Sequence, residues 1–133
     1  MVLRIVDGDT VDVGFEGAVV RVRLAHIDAP ETAQTYGAEA TAWLGQAIPS
    51  GTPVSVRPRQ FDYYGRIVAD IYKGRSWLNY WMVRAGLAWA LPNDDESQVA
   101  EAQLLAQEEK IGLWSEPHPT PPWVFREEAI PPA

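Results

Sequence analysis

The chain has 133 residues, 47% of them hydrophobic and 22% charged, the proportions of an ordinary globular domain with one core. It contains no cysteine, which excludes a disulfide framework and a thiolate zinc site, and its net charge of −7 argues against a generally basic nucleic-acid-binding surface. No run approaches the roughly 18 apolar residues of a membrane span. The two histidines, His26 and His118, lie far apart, so a metal here would be held by oxygen, which suits calcium or magnesium.

In chain order, "VLRIV" reads as a strand that leads into "DGD". "TVDVGF" follows as a second strand, with Val11, Val13 and Phe15 on one face. After a turn at "EGA", "VVRVRLAHI" reads as one long strand, with Val20, Val22 and Leu24 facing one way and Arg21 and Arg23 the other. Apolar residues at helical spacing predict a helix from Thr35 to Ile48, ended by "PSG". "PVSVRPRQF" and "RIVADIY" are two further strands joined by "DYYG", and five such strands suit a small closed or partly open barrel.

A second helix is predicted around Trp77 to Ala85, with Gly86 as its C-terminal cap. A third is predicted from a capping box at Asp95 and Gln98 to about Ile111, stopping at Gly112, with Glu101, Glu108 and Glu109 on a solvated face. Trp77, Trp81, Trp89 and Trp114 read as core and His26 as a packed histidine. The tail "SEPHPTPPWVFREEAIPPA" reads as extended, laid over the domain through Trp123. The chain opens almost directly on a strand, with no basic, apolar leader.

The acidity is uneven. Residues 1–75 hold eight Arg/Lys against nine Asp/Glu, for −1, and residues 76–133 hold three against nine, for −6. A local site in the first half can attract phosphate, although long-range steering of a polyanion is weak. The candidate chemistry lies there. Asp9 and Asp28 are hard carboxylates at strand ends, suited to a metal, with Asp7 able to support them from behind. Glu31, just past a proline turn, can orient or deprotonate a water, and Arg23 and Arg66 offer planar forks for phosphate oxygens. Together these supply what phosphodiester cleavage needs: a cation, a placed water and donors for the crowded transition state. Taken singly, "DGD", "DAPE" and "YYGR" are ordinary turns and Arg23 an ordinary surface-strand residue.

Quoted together, "VDGDTV", "VRLAHIDAPE", "YGAEA", "DYYGRIVADIY", "LNYWMVRAGLAW" and "GLW" have an order and spacing that resembles the staphylococcal nuclease-like (thermonuclease) family, from about residue 2 to Trp114. The resemblance implies a mainly β fold with helices: a five-stranded OB-fold barrel plus about three α-helices over residues 1–114, followed by a proline-rich tail over 115–133. It implies a calcium-dependent endonuclease acting on DNA and/or RNA and leaving 5′-hydroxyl and 3′-phosphate ends. In that pattern Asp9 and Asp28 match the Ca²⁺ ligands, Ala29 gives a backbone carbonyl, and Asp7 lies beside the metal. Arg23 and Arg66 match the phosphate-holding arginines and Glu31 the glutamate near the attacking water, whether base or water-positioning group. Tyr64 remains as a phosphate or sugar contact.

Departures lie around the site: Tyr63 where a basic residue often stands, and Pro92 and Asn93 where a tyrosine-bearing loop helps hold the nucleotide. The expected partner is nucleic acid, with no membrane and a monomeric state. Family members are often exported, but the chain is equally compatible with a cytoplasmic protein. The rival reading is a non-catalytic OB module binding nucleic acid or protein, and retention of the five charged positions favours the enzyme.

Overall fold

The computed structural model describes residues 1–62 and 64–129. The order is β1 (Val2–Asp7), β2 (Thr10–Phe15), β3 (Ala18–Leu24), β4 (Ile27–Asp28), α1 (Gly37–Ala47), β5 (Ser55–Phe61), β6 (Ile67–Lys73), β7 (Ser76–Trp77), α2 (Leu78–Arg84), β8 (Trp89–Ala90), α3 (Ser97–Glu109) and α4 (Pro122–Ala129), with a 3₁₀ turn at Gly112–Ser115 between the last two. The five long strands pair in the order β1-β2-β3-β6-β5, antiparallel throughout except for β3 against β6. Backbone bonds from Val2 N–H to the Thr52 carbonyl and from Gly51 N–H to the Val2 carbonyl bring the start of β1 beside the approach to β5. This is the expected five-stranded OB-fold.

Alternation places Val11, Val13, Val22, Leu24, Ala69 and Ile71 inside, where they meet Ala40, Leu44 and Ile48 of α1 and its end and Leu78, Met82 and Val83 of α2. Phe15, expected on one face with Val11 and Val13, is 64% exposed at the strand's end. Trp81, expected in the core, is 47% exposed, because Met82 and Val83 take the inward face of α2. Trp77, Trp89 and Trp114 are half-buried.

Four local features differ from expectation. The long third strand stops at Leu24; Ala25 and His26 form a turn, with His26 at φ 70°, before the chain resumes as β4. His26 is packed as expected, its Nδ1 lying 2.9 Å from both carboxylate oxygens of Asp94. Helix α3 is capped by Glu96, whose side chain accepts from Gln98 N–H, because Asp94 bonds the Glu96 N–H and sets the turn one residue later than a cap at Asp95 requires. That helix ends at Lys110 in the left-handed conformation, short of Ile111. The tail is not wholly extended: Pro122 sits where its fixed φ and missing N–H suit a first helical turn, and α4 follows. Tyr63 lies outside the described residues.

Candidate active site

The DGD turn between β1 and β2 is the first wall. Asp9 N–H donates to Asp7 Oδ1 at 3.1 Å, and Asp9 itself is buried, accepting from Thr10 Oγ1 at 3.2 Å and from Ala29 N–H at 2.9 Å. A Cβ on Gly8 would lie 2.9 Å from the Cβ atoms of both Ala29 and Ala40, so glycine there lets the turn close against the chain after β4 and against α1. Burial drives Asp7 upward, with the neighbouring charge of Asp9 adding to it, to a pKa of about 6. Burial also opposes ionisation of Asp9, but the Arg23 charge and the hydrogen bonds from Asp7, Ala29 and Thr10 outweigh it and hold Asp9 below the usual carboxylate value.

Register explains Arg23. It pairs with Thr10 across β2 and β3, which sets its side chain beside the DGD turn. Its Nη2 lies 3.7 Å from Asp9 Oδ2 and 3.5 Å from Asp28 Oδ1, and its Nη1 donates to the Leu24 carbonyl at 2.6 Å. The reversal at His26 is what returns Asp28 to this place. β4 then pairs Asp28 with Trp89 of β8, and Asp28 is 2% exposed. Burial raises the pKa of Asp28, against the pull of Arg126 and Arg23.

Glu31 follows Pro30 and is held from two sides. Its N–H donates to Gln34 Oε1 at 3.1 Å, and its carbonyl accepts from Gln34 N–H at 2.8 Å. The first residue of α1 presses on it: a Cβ on Gly37 would overlap the Glu31 carbonyl oxygen. Gly37→Ala should therefore lower stability by about 1–3 kcal/mol, the scale of forced overpacking, and should displace Glu31. Thermal unfolding alongside a nuclease assay reads both effects; full activity with an unchanged midpoint would remove the packing role.

Arg66 immediately precedes β6, and the parallel pairing of Val22 with Ile67 and Arg23 with Val68 puts it at the same end of the sheet as Arg23. Asp62 positions it. The Asp62 carboxylate accepts Tyr64 N–H at 2.9 Å, Arg66 N–H at 3.0 Å and Arg66 Nε at 2.6 Å. The Arg66 guanidinium carbon lies 5.4 Å from the centre of the Tyr64 ring, and Tyr64 is 83% exposed.

Asp7, Asp9, Arg23, Asp28, Ala29, Pro30, Glu31, Tyr64 and Arg66 thus line one cavity of about 340 Å³. The structure brings together every sequence-predicted site residue. Two contributors escape sequence reasoning. Asp62 is legible afterwards as an aspartate turn in "DYYGR". Arg126 of α4 also lines the cavity; the only trace of it in the sequence is a single arginine in an acidic tail. Its Nη2 lies 2.5 Å from Asp28 Oδ2, and its Nη1 lies 2.5 Å from Glu31 Oε1 and 3.2 Å from Asp28 Oδ1.

Among the described residues no group of three or more His, Cys, Asp or Glu side chains is gathered to hold an ion. The site nonetheless fits a hard divalent cation in its donor chemistry, because Asp9 and Asp28 converge on a shared cationic group, Arg23 Nη2. Asp9 and Asp28 would be the two carboxylate donors, and water, a carbonyl or substrate oxygen would complete the shell.

The family model described as Staphylococcal nuclease homologue matches residues 21–116. The chain belongs to the staphylococcal nuclease family. Of the residues above, Arg23, Asp28, Ala29, Glu31, Tyr64 and Arg66 fall within the matched span, and Asp7 and Asp9 precede it. The chain is 40% identical over 127 residues to a protein of Escherichia coli named "Uncharacterized endonuclease", covering 94% of this chain and 82% of that one. It is 36% identical over 139 residues to "Micrococcal nuclease" of Shigella flexneri, covering 94% and 78%. A Haemophilus influenzae protein named "Uncharacterized endonuclease" is 33% identical over 129 residues, covering 96% and 72%. These alignments are longer than the matched family span, so the likeness to these relatives extends over nearly the whole chain.

The metal-free site carries a built-in electrostatic cost that can be measured. A carboxyl whose pKa rises on folding contributes stability below its unfolded value, near 3.8 for Asp7, and loses it as pH rises through about 6. Asp7→Asn keeps the acceptor for Asp9 N–H and removes the charge. It should stabilise the metal-free protein above pH 6 by about 1 kcal/mol, the full linkage value reduced for the screening of a half-exposed group, and the gain should vanish near pH 4. Urea midpoints in chelator at the two pH values check this, and a gain of equal size at both would contradict it.

Proposed function

We propose that the protein is a calcium-dependent nuclease that hydrolyses phosphodiester bonds of DNA and/or RNA to 5′-hydroxyl and 3′-phosphate ends, acting as a monomer. The observation that supports this most is the meeting of Asp9, Arg23, Asp28, Glu31 and Arg66, distant along the chain, around one cavity of about 340 Å³. Family membership and relatives named as nucleases support the same class of reaction.

Asp9, Asp28 and the Ala29 carbonyl would hold Ca²⁺, with Asp7 beside them. When bound, the ion would neutralise charge on the scissile phosphate and lower the barrier to hydroxide attack. Arg23 and Arg66 clamp the phosphate oxygens and stabilise the charge that builds on them in the transition state. Glu31 sits at the rim, where it orients or deprotonates the attacking water. Tyr64, exposed next to Arg66, offers a flat face to the adjoining sugar or base. A neighbouring cavity lined by Val6, Asp7, Thr10, Arg21, Tyr64 and Arg66 continues the groove for a strand to follow.

Denatured DNA incubated with added calcium should be degraded, and a chelator should abolish the degradation. The fragments should accept phosphate from a polynucleotide kinase without prior dephosphorylation, the mark of 5′-hydroxyl ends. Tight binding of DNA without breakage would identify the protein as a binding module instead.

A further inference from the structure

We infer that α4 is an autoinhibitory strap, and that Arg126 must leave Asp28 and Glu31 before a divalent cation can bind there. This rests on the nuclease reading of the same site and adds its regulation.

The contact is specific. One guanidinium spans both Asp28 oxygens and also reaches Glu31, at 2.5 Å, 3.2 Å and 2.5 Å. Asp28 and Glu31 are the groups assigned above to the metal and to the water. With Arg126 in place neither Asp28 oxygen is free, and a second cation on the same carboxylate would meet like charge at close range. Charge balance gives the arginine a reason to be there. The cavity holds four acids, Asp7, Asp9, Asp28 and Glu31, against Arg23 and Arg66, and Arg66 is already paired with Asp62. Arg126 on Asp28 and Glu31 supplies a balancing positive charge.

The strap is anchored to the strand pair that it regulates. Trp123 of α4 meets Trp89 edge-to-face, with ring centres 5.6 Å apart, and Trp89 is the β8 partner of Asp28. Gln34, which holds the Glu31 backbone, also donates from Nε2 to the Thr120 carbonyl at 2.5 Å. The hold is nevertheless light. Beside the Gln34–Thr120 bond, the loop at Ala33–Tyr36 and the tail residues His118, Pro119 and Phe125 line an open cavity of about 310 Å³ instead of packing tightly together. The Arg126 side chain is 46% exposed, whereas that of Asp28 is 3% exposed. An exposed arginine reaching a buried carboxylate from a loosely seated helix can withdraw without opening the core.

If cation binds only the open state, its apparent affinity falls by the fraction of molecules that are open. Calorimetric titration of the 133-residue chain with Ca²⁺ alone should show about tenfold tighter binding for Arg126→Ala, on the order expected from such a population shift. Arg126→Lys, with one donor head in place of a fork, should lie between that and the parent. Trp123→Ala, which loosens the anchor and leaves Arg126 intact, should also tighten binding. Hydrogen exchange across residues 122–129 of the parent should speed up when Ca²⁺ is added.

Equal Ca²⁺ affinity in all four proteins, or exchange in α4 that calcium does not alter, would overturn the strap while leaving the nuclease intact if DNA is still cleaved. Weaker Ca²⁺ binding in Arg126→Ala would likewise overturn it and make Arg126 part of the binding machinery. Absence of both Ca²⁺ binding and DNA cleavage in every variant would overturn the nuclease reading and the strap together.

Discussion

Arg66→Ala is expected to lower kcat on denatured DNA by about 10²–10³-fold, roughly 3–4 kcal/mol of transition-state stabilisation, the scale of removing one preorganised donor from a developing oxyanion. Stability should change little, within about 0.5 kcal/mol, as for surface positions generally. The two expectations separate because of how Arg66 is held. Its Nε is tied to Asp62, whose carboxylate keeps two backbone N–H partners after the side chain is gone, so the turn persists. Arg23→Ala should cost catalysis similarly but stability more, since Arg23 Nη1 bonds the Leu24 carbonyl and Nη2 stands between two buried carboxylates. Near-full hydrolysis by Arg66→Ala would count decisively against the proposed site. Asp62→Ala isolates positioning from charge: it should raise KM or lower kcat about 10–100-fold, the usual scale for a group that orients a functional side chain, and far less than loss of Arg66 itself.

Asn79→Ala should lower stability by about 3 kcal/mol, a large share of the roughly 5–15 kcal/mol that holds such a domain together. Asn79 is fully buried at the start of α2. Its Oδ1 accepts Ile71 N–H at 3.0 Å, and its Nδ2 donates to the carbonyls of Ala25 and Ala69 at 3.0 and 3.1 Å. The side chain therefore ties α2 and β6 to the turn that follows β3, the turn whose reversal delivers Asp28 to the site. The Ala69 carbonyl keeps a second donor in Ala25 N–H, but the Ala25 carbonyl and Ile71 N–H lose what Asn79 supplies. Unsatisfied buried polar groups cost about 1–3 kcal/mol each. Urea unfolding measures the loss, and a fall under about 1 kcal/mol would show that water or strand bonds replace the side chain. Activity should decline in parallel, because Asp28 is positioned through the same turn.

The long elements were legible because their signals are local and periodic. Alternation in β2 and β3 and helical spacing in α1 and α2 survive in any context that buries one face, and α3 was bounded by its cap and its glycine stop. The ordered motifs also carried the family, the OB-fold and the set of charged residues that meet at the cavity. Two-residue strands such as β4, β7 and β8 have no period to detect. The cap of α3 moved from Asp95 to Glu96 because Asp94, oriented by its contact with His26, took the preceding turn. Phe15 lies at the exposed end of its strand and Trp81 on the outward face of α2, neither of which a local pattern reveals.

The sequence by itself determined which groups could do chemistry: acids for a cation, arginines for a phosphate and a glutamate for a water. Only the tertiary structure decided who stands next to whom. The strand register set Arg23 on Asp9, the turn at His26 returned Asp28 to them, and the Trp123–Trp89 contact brought Arg126 onto Asp28 and Glu31 from 98 and 95 residues away. A residue's type records what it can bind, whereas its partner at such separation depends on the packing of every element between them, which no local pattern encodes.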